Sequence, residues 1–223
     1  DIDTLINNCN KLKELMKNYG ELKPVWISEF GLFTINEDAT GVNWVGNDGH
    51  TVESQYQYWV LSRAINDELG LYDRFYAYCT HDIWPMDNTL YDFGFIHVWE
   101  RSGDRVAFGA KPSYLGMAAY NLFVNKNTDP TGYIHDGQFY ALKFRNNDLG
   151  KDVLLIQDNG GEVFKNINLG CESVTMYDGY GNEQAVLHSD NGIYGFSAGM
   201  EPMWIVGSFT KFEAAESGGA VIA

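Results

Sequence analysis

Positive charge is scarce in this sequence. Its 223 residues hold 15 Lys and Arg against 30 Asp and Glu, a formal charge of −15. A polyanion would be repelled and no basic stripe offsets the repulsion, so nucleic acid is excluded as a partner. Cysteine is scarcer still. Cys9, Cys79 and Cys171 are odd in number and far apart, which makes neither a disulfide framework nor a zinc site. No apolar run reaches the roughly eighteen residues of a membrane span. GxGxxG, phosphate-loop and HExxH patterns are all missing, so no cofactor is expected. Metal ligation has little behind it: Cys79-x-His81 offers two ligands, and Asp82, Asp87, Asn88 and Asp92 lack a calcium-loop pattern. The chain opens Asp1-Ile2-Asp3, with neither Met nor signal peptide, and so reads as a piece of something longer or a mature form.

What is present is apolar and aromatic. Hydrophobic residues make 45% of the chain and aromatics 15%, enough for a packed core of one large domain or two ordinary ones. Ile2, Leu5, Ile6, Cys9, Leu12, Leu15, Met16 and Tyr19 recur at helical spacing, with acids leading, lysines trailing and Gly20 as a stop. Pro24 to Phe30 reads as a short buried strand. After a polar loop, Thr51 caps a second helix with Val52, Tyr56, Trp59, Val60, Ala64 and Leu69 inward. Asp73 to Cys79 is a second strand. A loop of about thirty residues, long for a compact domain, leads to a third helix starting at Pro112 and running to about Val124.

Helix, strand, helix, strand, helix implies parallel strands joined by crossover helices. The helix-to-strand links are short and the strand-to-helix links long. Length concentrated at one end of parallel strands marks the end where ligands bind. After about Tyr133 the period changes to two. Strands are expected around Tyr140–Phe144, Val153–Ile156, Val163–Leu169, Val174–Tyr177, Gln184–His188, Ile193–Ser197 and Met203–Val206. Asn159-Gly160-Gly161, Asp178-Gly179, Gly181-Asn182 and Asn191-Gly192 supply the turns, so the pattern is that of an antiparallel β-sandwich. Two strands cannot close a barrel, which takes about 250 residues where roughly half that number is α/β here. The expected fold class is therefore α/β plus all-β. Residues 1–128 are the C-terminal part of a (β/α)8 barrel (its last two strands and three helices), 129–209 a β-sandwich accessory domain, and 210–223 a flexible tail.

Glu29 is the first candidate for chemistry. A carboxylate at the end of a buried strand, beside a long loop, is costly unless paired or used. It either orients the sheet by bonding an Arg or Tyr, or it is catalytic. Trp44, His81 and Trp84 lie in the long loops. Aromatic rings there stack on the flat faces of sugars, or simply pack the loops onto the rim.

Lys23-Pro-Val-Trp-Ile-Ser-Glu29-Phe-Gly31 resembles the seventh strand of the clan A glycoside hydrolases, where the Glu is the catalytic nucleophile. Phe75-Tyr-Ala-Tyr78 is similar to their eighth strand, and Tyr91-Asp-Phe-Gly-Phe-Ile96 to the stretch that follows. Lys111-Pro-Ser-Tyr114 with Ala118-Ala-Tyr120 resembles the opening of their last helix. Val174 to Asp178 with Gly181-Asn182 is similar to the accessory β-domain packed against such barrels. Families 5 and 39 are the nearest in shape. The resemblance implies Glu29 as nucleophile and an aromatic platform at Trp84 or Tyr78, with His81 and Trp44 as further substrate contacts. The chain departs from the pattern at the acid/base, an Asn-Glu pair ending strand four. Asn36-Glu37 lies in the same loop as Glu29, and Asn182-Glu183 by a turn of the β-domain. A retaining hydrolase needs two carboxyls about 5–5.5 Å apart, so the second is expected on the N-terminal half of the barrel, which this chain lacks.

Two functions compete. The first is a fragment of a retaining glycoside hydrolase cleaving β-glycosidic bonds in poly- or oligosaccharides, extracellular because its substrates are polymers. Its partners are the carbohydrate and the missing half of the barrel. The second is a non-catalytic carbohydrate-binding or scaffolding protein whose β-domain does the work. Under the first, the chain alone is expected to be inactive and prone to aggregate through unpaired strand edges.

Overall fold

The computed structural model describes residues 2–32, 52–77, 79–80, 94–101, 104–216 and 220–221. The chain divides into two compact units, Asp1–Tyr114 and Leu115–Ala223. The first is mixed α/β. It holds α1 (Ile2–Tyr19), β1 (Trp26–Phe30), α2 (Val52–Leu69), β2 (Arg74–Ala77), β3 (Ile96–Arg101), β4 (Asp104–Ala110) and the first residues of α3 (Pro112–Phe123). β1 and β2 pair in parallel, as the helix–strand alternation requires. Asp73 fixes their start, its Oδ2 accepting from Val25 N at 2.7 Å while its own N–H donates to Val25 O at 2.8 Å.

α2 is buried nearly all round. Tyr56, Trp59, Val60, Leu61, Ala64 and Ile65 have almost no exposed surface, and neither have Gln55 and Ser62. Leu69, expected inward, is 37% exposed, because it is the last residue before the turn at Gly70. There Gly70, at φ +59°, donates to Asn66 O, and the Asn66 side chain accepts from Tyr72 N.

Three expectations need correction. The α1 stripe is only partly used: Ile2 and Cys9 are buried while Leu12, Leu15 and Tyr19 stand in solvent. The strand at residues 24–30 is mostly exposed, Trp26 at 58%, since β1 pairs only with β2 among the described residues. The long stretch before Pro112 is not loop throughout, for β3 and β4 form an antiparallel hairpin within it.

The second unit is antiparallel save for one short contact. Its strands are β5 (Thr128–Asp136), β6 (Phe139–Asn146), β7 (Lys151–Asp158), β8 (Val163–Asn168), β9 (Ser173–Tyr177), β10 (Glu183–His188), β11 (Ile193–Ala198), β12 (Met203–Gly207), β13 (Glu213–Ala215) and β14 (Ala220–Val221). They form a six-stranded sheet, β10-β9-β12-β7-β6-β5, and a four-stranded sheet, β13-β8-β11-β14. One apolar cluster joins them, with Phe139, Ala141, Leu154, Ile156 and Ile205 from the larger sheet and Ile167, Tyr194 and Phe196 from the smaller. The opposite face of the larger sheet is buried too: Trp204 packs edge-on against Tyr120 and tilted against Phe123 of α3, at 5.8 and 5.0 Å between ring centres. Burial on both faces explains the unbroken apolar run Val153 to Ile156. Asn146, wholly buried, terminates α3 by donating from Nδ2 to Phe123 O.

The stretch from residue 210, expected as a flexible tail, carries two strands. β13 pairs with β8, and β14 runs parallel to β11 at Tyr194 and Gly195. The turn at Asn191-Gly192 sits tightly against Gly170. Gly192 has φ +73°, and a Cβ there would lie 2.7 Å from Gly170 Cα.

Tyr72 is 4% exposed and its hydroxyl has no hydrogen-bond partner among the described residues. Burial pushes its phenol well above the ordinary value of 10.0. Tyr72→Phe therefore raises stability at neutral pH by about 1 kcal/mol, because a desolvated and unpaired hydroxyl is removed. The unfolded phenol ionises near 10.0 and the folded one resists, so the parent loses stability as the pH climbs past that value. The variant lacks this loss, and the gap between the two widens in alkali. Urea midpoints of both proteins at pH 7 and in alkali check this; a variant less stable than the parent contradicts it.

Candidate functional site

The site is built on the C-terminal end of β1. Ile27 lies opposite Phe75, but Phe30 lies opposite Ala77, so β1 carries one residue more than β2 over this span. The extra residue is a β-bulge at Ser28-Glu29. It decides which side chains go where. Phe75 packs on Trp59 of α2 at 5.7 Å and on Tyr72 at 5.5 Å, which makes its face of the sheet the helix side. Plain alternation from Ile27 would put Glu29 on that side and Phe30 off it. With the bulge, Phe30 is the buried one, stacked on Tyr58 at 5.4 Å and edge-on to Trp59 at 4.9 Å. Glu29 is exposed, with no hydrogen bond or ion pair among the described residues. Of the two alternatives, a sheet-orienting Glu bonded to an Arg or Tyr has no such bond among these residues.

The face away from α2 carries Trp26, Arg74 and Tyr76, all exposed. The Arg74 guanidinium lies 5.4 Å from the centre of the Trp26 ring, and Tyr76 is 6.4 Å from it. Sequence reading did not single these residues out. The period-2 alternation of Arg74 and Tyr76 about Phe75 is the signal that places them on one face.

Beyond Phe30, Gln55 of α2 donates from Nε2 to Leu32 O at 2.7 Å. Its Oε1 accepts from Ser113 Oγ at 2.8 Å. Lys111 N, just before α3, donates to Phe95 O at 2.9 Å. The two Gln55 bonds hold the exit of β1 to α2 and to Ser113 of α3, while the Lys111 bond closes the β3–β4 hairpin.

Trp44, Tyr78, His81 and Trp84 lie outside the described residues, as do Glu37 and Asp82, Asp87, Asn88 and Asp92. Asn182 and Glu183 serve the second unit. Asn182 donates to the Asp178 carboxylate through backbone and side chain, and Glu183 opens β10 opposite Tyr177. Among the described residues no three His, Cys, Asp or Glu converge as a metal site, and no helix is long and apolar enough to cross a membrane.

No family model matches the sequence, and no curated protein matches it. Solved structures do. An endoxylanase of glycoside hydrolase family 30 from Clostridium papyrosolvens C71 is similar with a TM-score of 0.51 and 14% identity, over 87% of this chain and 44% of that one. The fold resembles that of this endoxylanase over the matched stretch. SrfJ from Salmonella typhimurium matches with a TM-score of 0.48 and 11% identity, over 90% of this chain and 38% of that one. The chain thus spans less than half the length of each. At such identities the likeness is one of fold, and it does not test the resemblance to families 5 and 39.

Proposed function

We propose that these residues belong to a retaining glycoside hydrolase of β-linked polysaccharides, with Glu29 as its nucleophile. The observation that carries the reading is the bulge, which frees the Glu29 carboxylate at the C-terminal end of a parallel strand, where a long connection begins. In this reading β1 and β2 are the last two strands of a (β/α)8 barrel, with α1 to α3 around them. The remaining strands, and the acid/base Glu, come from polypeptide outside these 223 residues. Two features support that division: both strands have an unpaired edge among the described residues, and Leu12, Leu15 and Leu22 are exposed to solvent. Trp84, Tyr78, His81 and Trp44 are assigned to the sugar cleft. The reading entails secretion, because polysaccharides do not cross membranes.

In the reaction the Glu29 carboxylate attacks the anomeric carbon as the glycosidic C–O bond breaks, and the acid/base protonates the departing oxygen. Water, deprotonated by the same acid/base, then displaces the carboxylate. Two inversions give net retention. The test is proton NMR of the first product formed from xylan, chosen because the similar structure is an endoxylanase, by the complete polypeptide that contains this chain. The β anomer is expected first; an α anomer would exclude Glu29 as nucleophile.

A further inference from the structure

We infer that Gln55 is a positioning residue for Glu29, an inference that rests on the reading above. A nucleophile at a bulge has no regular ladder to fix it, so its backbone needs another anchor. On one side the anchor is Phe30, wedged among Tyr58, Trp59 and Phe75. Three residues beyond Glu29 it is the Leu32 carbonyl, held by the Gln55 amide. Gln55 has no exposed surface, and neither has Ser113, which donates to the other end of the same amide. A buried helix position is ordinarily apolar; an amide there carries a desolvation cost that bonds at both its ends offset. The bridge therefore ties the exit of β1 to α2 and to the first turn of α3, out of contact with bulk solvent. Small displacements of a reacting group cost large factors in rate, and Gln55 restrains residues 30–32, the described segment that follows Glu29.

Gln55→Glu separates positioning from folding. The introduced side chain has the same shape and can still accept from Ser113. Ionised, it cannot donate to Leu32 O; protonated, it can. The kcat of the complete polypeptide on a β-glycan should then gain an alkaline limb that the parent lacks. It should stay near the parent value on the acid side and fall about tenfold or more above the new ionisation, with KM changed less than about twofold. A merely structural role would lower the melting temperature and leave the pH profile of kcat alone. Ser113→Ala loosens the same amide without adding charge; should Gln55→Glu not fold, it reports the same effect as a fall of about threefold in kcat at constant KM. Glu29→Ala is measured alongside. If that variant is dead while Gln55→Glu, or in its place Ser113→Ala, keeps the parent kcat at every pH, the positioning role is overturned and the nucleophile stands. If Glu29→Ala turns over normally, the reading of the site falls, and Gln55 has nothing to position.

Discussion

Glu29→Ala is expected to lower kcat on a β-glycan by roughly 10⁴–10⁶-fold in the complete polypeptide, the range in which loss of a nucleophile falls. Among the described residues of β1 and β2 nothing replaces it: Ser28 beside it is a poor nucleophile without a base, and no other carboxylate lies on these two strands. The fold should survive. Glu29 is exposed and unbonded among the described residues, so its removal changes stability by no more than about 0.5 kcal/mol. That pairing, a silent melt with lost turnover, separates a reacting group from a structural one. Kinetics with a chromogenic β-glycoside and a thermal melt on the same preparation check it. Loss of less than tenfold, or a collapse of the melt, runs against the assignment.

The second large effect lies in the β unit. Trp204 sits on β12, between β7 and β9, with no exposed surface, and packs on Tyr120 and Phe123 of α3. Trp204→Ala leaves a cavity where a close-packed sheet cannot collapse, and is expected to cost about 3–5 kcal/mol. Trp204→Phe costs less: it keeps most of the ring and deletes an indole N–H that is buried without a partner among the described residues. Urea unfolding followed by far-ultraviolet circular dichroism measures both. A cost under 1 kcal/mol for the alanine variant would mean that α3 does not cover that face.

The sequence was most readable where burial is two-sided or strictly periodic. The runs through Leu154 and Ile205 could be nothing but strands, and the glycine turns at Asn159, Asp178 and Asn191 set their ends. It was least readable at edges. Thr128–Asp136 holds Pro130, which argues against a central strand; β5 takes it as the edge of its sheet, with an irregular register between Pro130 and Gly132. Glu213–Ala215 and Ala220–Val221 looked loose because small residues carry little apolar signal, yet β8 and β11 offer them open edges. The β3–β4 hairpin has a weak signal in sequence, Ser102-Gly103 between two β-prone runs. At the site, the strand-end Glu was visible in sequence. The bulge was not, since it depends on the register against β2. Nor was Gln55, whose partners Leu32 and Ser113 lie 23 and 58 residues away.

Azide offered to the Glu29→Ala protein probes the nucleophile most directly. The small anion enters the space that the carboxylate vacates and attacks the anomeric carbon of an activated β-glycoside from the same side. One inversion then replaces two. An α-glycosyl azide, formed with partial recovery of turnover, is the predicted product; a variant that azide leaves unchanged, or a β-glycosyl azide, would contradict Glu29 as the group that bonds to the sugar.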